Sequence, residues 1–217
     1  MYVTIYCPLI VLVTGGSRGI GAATALQCAR AGYDVAVNYA RDAAAAESVV
    51  GAVRALGRRA IAIGADVSQE ADVLAMFAAV DAQLGPLTAL VNNAGVVDVA
   101  QRIDAMSVER LTRMFGINVV GSILCAREAV RRMSTLHGGR GGAIVNLSSA
   151  AARLGAPGQY VDYAAAKGAI DTFTLGLARE VVILERPSRL RLPLVMYKLT
   201  APWHHVLLRR VASIRCE

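Results

Sequence analysis

The eight residues Thr14-Gly15-Gly16-Ser17-Arg18-Gly19-Ile20-Gly21 decide how this chain is read. Leu9–Val13, a short β-branched run, stands before them. After them Ile20, Ala23, Leu26 and Ala29 recur at three-residue spacing and stop at Gly32. The order is strand, glycine turn, helix. Glycines let the backbone turn sharply and approach a pyrophosphate, while the helix amino terminus supplies N–H groups and a positive dipole. A glycine-rich turn alone is an ordinary way to join a strand to a helix. Its place after the first strand makes dinucleotide binding the expectation, with Gly15, Ser17, Arg18, Gly19, Ile20 and Gly21 nearest the cofactor.

Outward from this turn, strand and helix alternate. Val35–Tyr39, Ala60–Ala65, Leu87–Val91 and Ala143–Leu147 read as strands. Ala43–Leu56, Glu70–Leu84, a long stretch over Val108–Met133 and Tyr160–Val182 read as helices. The strands are unbroken apolar runs, as expected where helices cover both faces of a sheet. Such alternation builds a parallel sheet by right-handed crossovers. The predicted fold is therefore α/β, a Rossmann-like doubly wound parallel sheet in three αβα layers, with ligands bound beyond the carboxyl ends of the strands.

Composition agrees with this class. The 217 residues are 55% hydrophobic and 18% charged, which excludes a disordered chain or a coiled coil. The net charge of +7 is unevenly placed. Residues 1–180 carry 16 Lys and Arg against 14 Asp and Glu, a net of +2, whereas residues 181–217 carry 7 against 2, a net of +5. The charge thus gives the body of the chain little support as a nucleic-acid binder. Cys7, Cys28, Cys125 and Cys216 form no paired motif, so no metal or disulfide framework is expected and a reducing cytoplasm fits best. The uncharged run Met1–Val13 is too short to span a bilayer and lacks a positive leader, so no membrane association is expected.

Several polar residues fall at predicted strand ends. NAD-selective sites usually place an acid after the second strand. Here stand Asn38, Tyr39 and then Arg41, with Arg18 in the glycine turn. Two guanidinium groups and no carboxylate suit a ribose 2′-phosphate, so NADP(H) is favoured over NAD(H). Asp66-Val67 and Asn92-Asn93-Ala94-Gly95, at the next two strand ends, are candidates to line the adenine and ribose pocket.

The chemistry falls to Tyr163 and Lys167, four apart on one helix face, and to Ser148-Ser149 at the preceding strand end. An ammonium beside a phenol favours the phenolate and makes tyrosine a usable acid or base near neutrality. Lys167 is the one lysine among the first 197 residues, which points to a role arginine does not fill.

Together, T-G-x-x-x-G-x-G, N-N-A-G, the serine and Y-x-x-x-K resemble the short-chain dehydrogenase/reductase family over residues 9–182. The resemblance implies that Tyr163 is the catalytic acid/base and that Ser149, rather than Ser148, polarises a substrate carbonyl. It implies that Lys167 binds the nicotinamide ribose and lowers the tyrosine pKa, and that Asn118 helps hold a proton-relay water. Gly15, Arg18, Gly19, Gly21, Asp66, Asn92 and Gly95 match its cofactor positions. Tyr160–Lys167 is similar to bacterial 3-oxoacyl-carrier-protein reductases and glucose dehydrogenases. The expected function is thus hydride transfer between nicotinamide and a small carbonyl or alcohol substrate.

After Val182 the likeness ends. Ile183-Leu-Glu-Arg-Pro-Ser-Arg-Leu-Arg-Leu-Pro-Leu replaces the family's strand, with Arg189–Leu192 alternating as in an edge strand and Pro193 unsuited to a central one. Leu207, Val211 and Ile214 suit one face of a short basic helix, and His204-His205 lacks a third metal ligand. Two domains of reading result: a nucleotide-binding body, 1–182, and an atypical basic tail, 183–217. A tail altered by a reading-frame change would lack the last strands, fall some 30–40 residues short and leave an impaired nucleotide-binding remnant. A genuine variant segment that packs or binds something acidic is the other reading. Such a tail also weighs against a family-like homo-oligomer.

Overall fold

The computed structural model describes residues 9–184 and 194–200. β1 (Ile10–Val13) leads through the glycine turn into α1 (Gly19–Arg30), and β2 (Asp34–Tyr39), α2 (Ala43–Ala55), β3 (Ala60–Gly64) and α3 (Glu70–Gln83) repeat the unit. β4 (Ala89–Asn92) is followed by α4 (Val108–Phe115), a π-helical stretch Gly116–Gly121 and α5 (Ser122–Met133). β5 (Gly142–Ser148), the short α6 (Ala151–Leu154), α7 (Val161–Leu184) and β6 (Leu194–Thr200) complete the described elements.

The six strands form one sheet in the order β3-β2-β1-β4-β5-β6, every pairing parallel. The period of two along each strand separates two cores. Ile10 and Leu12 of β1, Ala36, Leu90 and Ile144 pack with Val73, Met76, Phe77 and Val80 of α3 and Cys125, Ala126, Ala129 and Met133 of α5. Val11, Val13, Val35, Val37, Val91 and Val145 pack on the other face with Ala25, Cys28 and Ala29 of α1 and Val49, Val50 and Val53 of α2. The expected three-layer αβα architecture is the one observed. Strand order reverses direction between β1 and β4, which is where a crevice opens in such sheets.

Two expectations are corrected. The sheet does not end at β5: Leu194–Thr200 pairs with it in parallel register from Gly142↔Leu194 to Ser148↔Thr200, so the sheet extends past Val182 and the edge of β5 is covered. Leu-Val-Met-Tyr-Lys-Leu-Thr is rich in strand formers. The alternating Arg189–Leu192, His204-His205 and the Leu207–Ile214 face lie outside the described residues. Val108–Met133 is helical as expected but is interrupted by its π turn, a feature that tends to mark functional sites. Among the described residues no helix is long and apolar enough to cross a membrane.

Candidate active site

The glycine turn is held by its neighbours' side chains. Gly15 N–H donates to Asn38 Oδ1 (3.1 Å) and Gly16 N–H to the Asn38 carbonyl (2.7 Å). Asn38 Nδ2 donates to the carbonyls of Ala65 (3.0 Å), Ile63 (3.3 Å) and Tyr39 (3.3 Å). Asn38 is buried, and both ends of its amide are engaged, so its side chain braces the turn.

From the other side of the crevice Asn93 reaches over. Its Nδ2 donates to the carbonyls of Thr14 (2.8 Å) and Gly15 (2.9 Å), while the N–H groups of Asn93 and Ala94 donate to Thr14 Oγ1, both at 3.0 Å. Gly15 sits at φ +60° with Ala94 Cα only 3.0 Å from where a Cβ would stand, and a Cβ on Gly21 would strike the Gly15 carbonyl. The sequence marked Asn93 only as part of a pocket-lining segment; its hold on the glycine turn is what the structure adds.

α1 opens at Gly19 with no side chain capping its first turn, whereas Asp42 caps α2 and Ser107 caps α4. Its free N–H groups face a turn too close-packed for side chains, an arrangement that fits a pyrophosphate. Arg18 and Arg41 are exposed, and neither joins an ion pair among the described residues. Asp66 Oδ1 accepts from Ser68 N–H (2.9 Å) and Ser68 Oγ (2.8 Å), and Val67 is buried against Gly121. Asn92 lies beneath the site: its Nδ2 donates to Asn146 Oδ1 and to the Ser122 carbonyl, both at 2.9 Å. It holds β4 to β5 and α5.

An open cleft of about 310 Å³ lies at these strand ends, and Ile20, Gly95, Asn118, Ser149, Tyr163 and Lys167 line it together with Ser148 and Val96. Lys167 Nζ donates to the Leu147 carbonyl (2.8 Å) and stands 5.7 Å from the centre of the Tyr163 ring. Burial lowers the Lys167 ammonium to about 8, and the Asp171 carboxylate one turn on opposes that fall. Gly95 leaves room beside it, since a Cβ there would approach Asn118 Oδ1 to 2.7 Å and Lys167 Nζ to 3.7 Å. Ser149 Oγ accepts from Ala151 N–H (3.2 Å), so its own proton is free to donate to a ligand. Ser148 Oγ is buried without a hydrogen-bond partner among the described residues. Asn118, in the π turn, donates from Nδ2 to the carbonyls of Val96 (2.9 Å) and Met114 (3.0 Å) and accepts from Val96 N–H (3.2 Å).

A doubly wound parallel sheet with an uncapped glycine turn at its crevice, and a tyrosine–lysine pair beside it, defines the class of Rossmann-type nucleotide-dependent oxidoreductases. The chain belongs to the short chain dehydrogenase family, whose model matches residues 9–184. An uncharacterized oxidoreductase of Escherichia coli K12, YgfF, is 55% identical over 172 residues, 79% of this chain and 70% of that protein. The 3-oxoacyl-[acyl-carrier-protein] reductase FabG of Staphylococcus aureus is 41% identical over 170 residues, 78% of this chain and 67% of that one. A short chain dehydrogenase from Burkholderia cenocepacia J2315, solved in complex with NADP, superimposes with a TM-score of 0.74 at 39% identity, covering 80% of this chain and 68% of that chain. The protein is accordingly an oxidoreductase of this family, acting on small-molecule substrates.

Proposed function

We propose that the protein is an NADP(H)-dependent oxidoreductase that interconverts a small carbonyl compound and its alcohol, with Tyr163 as the acid/base. The observation that carries this reading is the placement of Lys167 Nζ, buried between the Leu147 carbonyl and the Tyr163 ring, in the same cleft as the glycine turn. Gly15, Ser17, Gly19, Ile20 and Gly21 form the cradle for the pyrophosphate. Asp66, Val67, Ala94 and Gly95 flank the nucleoside, and Asn92 supports them from below. When bound, the cofactor supplies or accepts hydride at the substrate's carbonyl carbon.

The chain's own residues do the rest. Ser149 accepts from a backbone N–H and so offers its hydroxyl proton to the substrate oxygen. The Tyr163 hydroxyl gives that oxygen a proton in reduction and takes it back in oxidation. A charged Lys167 close to the ring favours the phenolate, which brings the tyrosine nearer to working pH. In this reading Lys167 would also hold the nicotinamide ribose, and Asn118, fixed by Val96 and Met114, would help hold a proton-relay water. Arg18 and Arg41, exposed and free of ion pairs among the described residues, support recognition of a 2′-phosphate, and the Burkholderia neighbour's NADP is in keeping with that.

A screen of ketones and acyl thioesters with each cofactor tests the reading. Turnover with a lower KM for NADPH than for NADH is expected, and an NADH preference would remove the arginine argument. Tyr163→Phe is expected to lower kcat by about 10³-fold or more while the NADPH-induced thermal shift persists. Turnover retained in that variant would take Tyr163 out of the mechanism, and a thermal shift with no turnover on any compound would mark a nucleotide-binding chain without catalysis.

A further inference from the structure

Arg110 and Asp162 form a buried pair beside the tyrosine. Arg110 Nε meets Asp162 Oδ2 at 2.8 Å and Nη2 meets Oδ1 at 3.2 Å, with side-chain exposures of 8% and 0%. The fork is bidentate, the geometry in which arginine recognises a carboxylate most specifically. Asp162 sits in the first turn of α7, where a negative charge suits the helix dipole, and it directly precedes Tyr163. Burial alone would raise the Asp162 carboxyl, but the Arg110 guanidinium holds it below the usual range, so the pair is charged at neutral pH.

The third nitrogen of the guanidinium does something else. Arg110 Nη1 donates to the Val99 carbonyl (2.8 Å) and to Gln101 Oε1 (3.1 Å). The N–H of Gln101 in turn donates to the Gln159 carbonyl (2.9 Å), just ahead of α7. The segment leaving β4, residues 96–101, supplies Val96 and Val97 to the wall of the cleft. It is pinned at its start by Asn118 and at its end by Arg110, while Asp98 between them meets Arg113 at 2.8 Å. A single guanidinium thus ties the start of α7 to the wall opposite.

We propose that Arg110 and Asp162 are a positioning pair, which holds the 96–101 wall at a fixed distance from Tyr163 and so sets both the alignment of a substrate and the bulk it can have. The proposal rests on the reading of Tyr163 as acid/base. Neither residue lines the cleft, so their effect on catalysis passes through the backbone that they hold.

The test separates positioning from folding by replacing both partners. Removing one member of a buried pair leaves an uncompensated charge, whereas replacing both with apolar residues is often neutral for stability. The double variant Arg110→Met/Asp162→Leu is therefore expected to keep its Tm. It is expected to lose about tenfold or more in kcat on the ketone turned over fastest in the screen, with NADPH affinity changed less than about twofold. Amide hydrogen exchange is expected to accelerate at Val99 and Gln101 and to stay unchanged over Gly15–Gly21. Wild-type kcat and KM with wild-type exchange at Val99 and Gln101 would overturn the proposal. Should the double variant fail to fold, Asp162→Asn keeps the shape and removes the charge. It is expected to lower kcat by about threefold or more at constant NADPH affinity, and unchanged constants would again overturn it. Tyr163→Phe in the same assay distinguishes the two readings: if it keeps turnover the tyrosine assignment fails, while the exchange rates of Val99 and Gln101 still decide the anchoring.

Discussion

The two sides of the cleft use polar atoms in opposite ways. Around the glycine turn the side chains bind backbone: Asn38 and Asn93 together make six hydrogen bonds to main-chain groups of the turn and the adjoining strand ends. On the β5–α7 side capacity is left over: Ser148 Oγ has no partner among the described residues, Ser149 keeps its proton, and Lys167 uses one of its three donors on Leu147. A cradle is made rigid by saturating its hydrogen bonds, and a reactive centre is made responsive by leaving some open. Three substitutions would break or sharpen that contrast.

The largest effect is expected on the open side. Lys167→Met should lower kcat by about 10²-fold or more, as the ammonium that favours the phenolate is gone. Stability should not fall with it at pH 7. Burial depresses the folded pKa to about 8 from the ordinary lysine value of 10.5, so the folded chain binds fewer protons than the unfolded chain between those values. Lys167 therefore weighs against folding below about pH 8, and that penalty declines as pH rises through this window. A wild-type melting curve that gains on Lys167→Met as pH goes from 8 to 10 would agree, and a parallel course would contradict it.

The saturated side should respond through binding instead. Gly21→Ala places a methyl against the Gly15 carbonyl and the Asn93 amide. The turn has to open, and NADPH affinity should fall by about tenfold or more, measured by fluorescence titration. The smallest expected change is the one that a sequence-based redesign would try first. Asn38→Asp, meant to create an acid for the NAD ribose, would set a carboxylate against the carbonyls of Ala65, Ile63 and Tyr39. It should lower unfolding stability by about 1–3 kcal/mol without producing an NADH preference. A stable, NADH-preferring Asn38→Asp protein would show that the brace is dispensable.

Asn38 also shows where reading the sequence stops. Its position, at the carboxyl end of the second strand, was legible, and so were the strand's length and neighbours. Which way the side chain points follows from parity: Val35 and Val37 face α1 and α2, so Asn38 shares the opposite face with Ala36 and turns under the glycine loop. The five strands from Leu9 to Leu147 were legible because each is an apolar run ended by glycine, asparagine or serine. β6 was not, since the arginines and the proline ahead of it masked an apolar heptapeptide. The π turn was hidden for a different reason, because one wider turn alters hydrogen bonding without disturbing the apolar spacing of Val108–Met133. Arg110 and Asp162, 52 residues apart, carry no local signal at all.

The seam between β1 and β4 has a consequence for how the protein is made. Thr14, Gly15, Asn93 and Ala94 meet across sequence separations of 78 to 80 residues. Contacts that distant form late, after the entropy of closing a long loop has been overcome. The nucleotide cradle is therefore absent from a growing chain until the fourth strand has emerged and docked beside the first. From that moment nucleotide binding favours only chains whose sheet has closed, and a pool of cofactor acts as a selective ligand for the finished fold.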